Sequence, residues 1–89
     1  MLGMLEITGA VEKRVYAKGS KSEREAVYLR FDGTHPEIQG EGRFLRRREG
    51  NPFRDEELDR LVGKRIRTEG IPIEGQIFLM ERWNELDCD

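Results

Sequence analysis

Cysteine, histidine and proline are scarce in this chain: 89 residues hold one Cys, one His and three Pro. Cys88 alone closes no internal disulfide, and with His35 as the sole histidine there is no Cys/His set for zinc. That usage fits a reducing compartment. No run approaches the roughly 18 apolar residues of a membrane span. The start, "MLGMLEITGAVEKR", lacks the basic region and long apolar run of a signal peptide. The expectation is a soluble cytoplasmic protein with no membrane partner and no cofactor. Neither sign of charge dominates, with 16 basic and 18 acidic side chains and a formal net charge of −2. That balance argues against a bulk electrostatic binder of nucleic acid, although a local basic patch can still set the field at one face.

What is present is a small, highly charged domain. The length allows one domain, residues 1–89, with a modest core and a narrow stability margin. Hydrophobic residues make up 36% and charged residues 38%, yet Leu, Ile, Val and Phe recur along most of the chain, which argues against disorder.

The apolar residues recur with period two through most of the chain. In "LEITGAVEKRVY", Leu5, Ile7 and Val11 share one parity, and Gly9 marks a bend or bulge. The polar loop "AKGSKSERE" leads to "AVYLRFDG", where Val27, Leu29 and Phe31 face one way and Tyr28 and Arg30 the other. Residues 34–39, "THPEIQ", form a connection. "GEGRFLRRRE" is a third strand of ambiguous parity. If Phe44 points inward, Arg46 and Arg48 share its face; if Leu45 does, Arg43 and Arg47 share it. A bulge near Gly40 or Gly42, or inside the arginine run, would turn both inward.

The period then changes. Leu58, Leu61 and Val62 stand at helical spacing, Asp55 suits an N-cap and Gly63 a C-terminal cap, which predicts a helix over about 55–62. "KRIRTEGIPI" carries Ile66 on one parity and Ile71 and Ile73 on the other, so Glu69-Gly70 is expected to switch the register. "IEGQ" makes a turn, and "QIFLMERW" is apolar on both faces from Ile77 to Met80. Ile77, Leu79 and Trp83 alternate with Phe78 and Met80, so one set fills the interior and the other is covered or meets a second subunit. The acidic residues 85–89 are expected to fray.

The order strand, strand, strand, helix, strand, strand resembles the OB-fold, an all-β, five-stranded Greek-key barrel with one short helix between its third and fourth strands. The resemblance covers about residues 4–84 and rests on the glycine-containing first strand "EITGAVEKRVY", the hairpin to "AVYLRF", and "LDRLVGKRIRTEG". It implies a ligand face across the second and third strands. On this chain that face would take Tyr28 and Arg30, with some of Arg43, Arg46, Arg47 and Arg48, bordered by Lys18 and Lys21 on the first loop.

Between Arg43 and Arg54 five arginines stand against the single Glu49. Guanidinium forks match phosphates, and a base could stack on Tyr28. The alternative is cross-strand pairing with acidic neighbours, the arginine stems covering the sheet. Other features point away from catalysis. "KGSKSE" lacks the spacing of a phosphate-binding loop. His35 has only Glu37 nearby, and Cys88 sits in an acidic tail that disfavours a thiolate. Asp55, Glu56, Glu57 and Asp59 lack the spacing of a calcium loop and suit a helix start. The expected function is non-catalytic binding, with weak binding of single-stranded nucleic acid in which Arg43, Arg46 and Arg48 contact phosphates and Tyr28 stacks a base. The rival is a protein-interaction module, either a homodimer through the last strand or one whose arginines meet an acidic partner.

Overall fold

The computed structural model describes residues 4–16, 19–21, 23–33, 38, 40–50, 55–73 and 76–86. The elements run β1 (Leu5–Tyr16), β2 (Arg24–Phe31), β3 (Gly42–Arg47), α1 (Glu56–Asp59), β4 (Arg65–Ile73) and β5 (Ile77–Leu86). The order in the sheet is β1-β2-β3-β5-β4, and β4 returns to β1, so the five strands close into a ring. Neighbours are antiparallel except β3 and β5, which run parallel.

Length explains why β1 can serve two neighbours. It pairs with β4 over Leu5–Ala10 and with β2 over Gly9–Tyr16. Gly9 lies where the two ladders overlap, and a Cβ there would run into the Arg30 carbonyl. The glycine read as a bend is a point of close backbone approach.

Alternation sends Ile7, Leu29, Ile66 and Phe78 inside, each 1% exposed or less. Val11, Leu45 and Met80 join them, as does Ile38 from the connection between β2 and β3. Residues 34–37 and 39 of that connection, His35 among them, lie outside the described residues, as do Lys18, Arg54 and Cys88.

Three expectations change. The helix is one turn, not the span 55–62. Beyond it, Leu61 N–H reaches Leu58 C=O at 3.0 Å and Val62 N–H reaches Asp59 C=O at 3.3 Å. These i to i+3 bonds set Leu58 and Leu61 three residues apart over the core, which suits the tighter turn. Gly63, at φ 90°, is not the helix cap expected of it: Arg60 caps α1, and the Gly63 N–H donates to the Val11 carbonyl at 2.8 Å.

The second change concerns Glu69-Gly70. The register does shift there, but the extra residue is Glu81 of β5, between Met80 (opposite Gly70) and Arg82 (opposite Glu69). β4 therefore keeps its parity. Gly70 faces in, where a Cβ would stand 2.8 Å from Phe78 Cε2, and Ile71 and Ile73 stay outside the core. What the bulge turns inward is Trp83, which joins Phe78 and Met80 against the core. Third, the start of the acidic tail is ordered: Asn84, Glu85 and Leu86 pair with Arg67, Ile66 and Arg65 as the end of β5, and residues 87–89 lie outside the described residues.

Candidate functional site

The arginine run is sorted by the direction of Leu45. Leu45 enters the core, and Phe44 lies outside it, opposite Tyr28 on β2 and Ile77 on β5. The register runs without a break through β3, so no bulge brings both inward.

Each arginine then meets a different environment. Arg47 forks onto Asp55, Nε to Oδ2 at 2.8 Å and Nη2 to Oδ1 at 2.9 Å. Asp55 Oδ1 also accepts the Glu57 amide at 3.0 Å and so caps α1. Burial alone would raise the Asp55 pKa, but the Arg47 fork and the amides of Glu57 and Leu58 outweigh it and hold the carboxyl below its ordinary value. Arg48 lies in the turn after β3 and forks onto Glu81, the bulged residue of β5. Arg43 donates from Nη1 to the Ile77 carbonyl at 3.2 Å. Arg46 makes no ion pair to a described residue and stands opposite Leu79 on the outer face.

The expected phosphate row therefore does not assemble as written. Arg43 has the parity of Leu45, and Arg48 has left the strand for Glu81; only Arg46 shares the face of Phe44 and Tyr28. Arg30 does lie beside Tyr28, exposed and 3.7 Å from Glu12. Lys21 is exposed in the β1–β2 turn.

The outer face holds aromatic residues that strand-by-strand reading missed. The Tyr28 and Phe44 rings meet edge to face with centroids 5.1 Å apart, and Tyr16 meets Phe44 in the same way at 5.1 Å. Guanidinium groups cover the ends of this cluster, Arg14 at 4.0 Å from the Tyr28 centroid and Arg24 at 4.7 Å from that of Tyr16. Tyr28 and Phe44 are each only 8% exposed. Burial raises the Tyr28 hydroxyl pKa, with Arg14 pulling the other way. Gly42 makes the cluster possible: a Cβ there would fall 2.5 Å from Tyr28 Cε2. Arg14 also contacts Glu12 at 2.6 Å and Glu41 at 3.5 Å.

Beside the cluster lies a hollow of about 400 Å³, reached by Arg14, Tyr28, Glu41, Gly42, Phe44 and Gln76. It sits among the β1–β2 ribbon, the approach to β3 and the start of β5. The signal for Tyr16 and Arg14 was in the sequence: both share the parity of Glu12, opposite to the core residues Ile7 and Val11. What hid them was the hairpin register, which sets Glu12 opposite Tyr28.

Among the described residues no group of three or more His, Cys, Asp and Glu could hold a metal ion, and no helix is long and apolar enough to cross a membrane. No family model, curated protein or solved structure matches the chain.

Proposed function

We propose that the protein is a non-catalytic binding domain of the OB type, a five-stranded Greek-key barrel, and that it binds single-stranded nucleic acid weakly across the outer face of β2 and β3. In favour of the fold assignment stand the strand order and the parallel β3–β5 pair. The observation that carries the binding reading is the Tyr16–Phe44–Tyr28 cluster on the outside of the ring, with a guanidinium stacked at each end. Aromatic faces take bases of any sequence, and arginine adds a cation over the ring.

The same geometry argues for low affinity. A base that stacks on Tyr28 has to displace the Arg14 guanidinium, which Glu12 and Glu41 hold in place. Arg30, Arg46 and Lys21 are the cations best placed to meet phosphates, and Arg47 and Arg48 are held by carboxylates. The test is fluorescence anisotropy with a labelled mixed-sequence oligonucleotide. Binding by the parent chain, with loss in a folded Tyr28→Ala/Arg30→Ala variant, supports the reading. Equal binding by both overturns the assigned face.

A further inference from the structure

A second face of the ring carries apolar side chains where its surroundings are charged. Ile71 of β4 stands opposite Leu79 of β5, and Ile73 opposite Ile77. None of the four belongs to the core cluster. Ile71, Ile73 and Leu79 are half-buried, and Phe44 continues the row from Ile77 onto β3. Met4, just before the β1–β4 ladder begins, is 44% exposed. In a chain with 38% charged residues, the half-buried Ile71, Ile73 and Leu79, side by side on the outside with Ile77 buried between strands at 9% exposed, form a small apolar patch.

The charges at its rim are arranged unequally. Glu6 of β1 and Glu69 of β4 stand directly opposite each other on the outer face, a like-charge pair that weakens a sheet. Arg82 lies 3.9 Å from Glu69, a loose contact. Across the patch, beside Leu79, stands Arg46, which has no acidic partner among the described residues. Acid at one rim and an unmatched cation at the other, roughly 12 Å apart by strand geometry, make the patch complementary to itself under twofold rotation.

We propose that this face is a homodimer interface, in which the Ile71, Ile73 and Leu79 side chains of two copies pack together and Arg46 of each meets Glu6 and Glu69 of the other. A twofold interface must be self-complementary, and this face supplies apolar centre, acid and base in one patch. Strand addition is a poor alternative. Among the described residues β1 pairs with β4 no further than Gly70, but Pro72 offers no N–H at that edge. Packing is therefore face to face, as between the layers of a sandwich.

This inference does not rest on nucleic-acid binding, with which it competes for Arg46, and it is tested without nucleic acid. Sedimentation equilibrium on the full chain, from about 5 μM to about 500 μM, a range that brackets weak dimers, should show the mass rising from 10.4 kDa toward twice that value. Arg46→Glu should weaken association by roughly tenfold or more, since it sets like charges face to face. The double change Arg46→Glu/Glu69→Arg should restore it. Leu79→Glu should abolish it; if that variant fails to fold, the surface charge swap decides alone. A constant 10.4 kDa mass at every concentration overturns the proposal. So does a dimer that Arg46→Glu leaves unchanged.

Discussion

Asp55 binds two things at once: the Arg47 guanidinium and the Glu57 amide in the first turn of α1. Its side chain is 7% exposed, so little solvent weakens the pair. Asp55→Ala removes a helix cap and strands a partly buried guanidinium, and should cost about 2 to 3 kcal/mol at neutral pH. The pH dependence follows from the lowered carboxyl pKa. A carboxylate whose folded pKa lies below its unfolded value, about 3.9, stabilises the fold fully above that value. The contribution is lost as pH falls from there through the folded pKa. Urea titrations between pH 7 and pH 2 should show the parent losing stability over the acid end of that range, with a smaller loss in Asp55→Ala. Equal acid sensitivity in both would remove Asp55 from this role.

At the scale of elements, β3 is held by what lies on either side of it. Tyr28 and Ile77 cover Phe44, the core takes Leu45, and Gly42 leaves room for the Tyr28 ring. Gly42→Ala places a methyl group against that ring and should cost about 1 to 3 kcal/mol. Near-UV circular dichroism should change as the tyrosine packing loosens. A variant with the parental melting point and tyrosine signal would show that the close contact is unimportant. Strand positions were legible in the sequence because period-two alternation is written within each strand: β1 runs over the expected residues, and Val27, Leu29 and Phe31 fill the interior. Phe44 and Leu45 were not resolved by alternation, because adjacent apolar residues satisfy either parity. The choice is made by neighbours far away in sequence. The bulge at Glu81 was hidden for a related reason: it shows only in the pairing of β5 with β4, where Met80 and Arg82 take consecutive partners. It brings Trp83 to the core side and leaves Ile71 and Ile73 outside. Deletion of Glu81 should remove the bulge while Arg82 stays opposite Glu69 and Trp83 opposite Thr68, so that Trp83 keeps to the core side. The expected readout is unchanged tryptophan emission; a red shift from a folded deletion variant would contradict the pairing of Trp83 with Thr68.

For the whole molecule, closure of the sheet converts a nearly neutral sequence into a surface of local contrasts. Carboxylates from other elements claim several cations: Glu81 takes Arg48, Asp55 takes Arg47, Asp32 takes Arg65 and Glu85 takes Lys64. The run of arginines that stands out in sequence is thereby divided, and the aromatic cluster becomes the stronger mark of a ligand face. The arginine fates could not be read from residues 43–48, because their partners lie eight to 34 positions away. With about three phosphate contacts left, the logarithm of affinity for a single strand should fall with the logarithm of salt at a slope near −2. The most direct test is anisotropy titration of a labelled mixed-sequence oligonucleotide at about 50 mM and about 200 mM salt, where that slope corresponds to a roughly 16-fold loss. Measurable binding is expected at the lower salt and that loss at the higher. No binding at about 50 mM salt, where phosphate contacts are strongest, would contradict it.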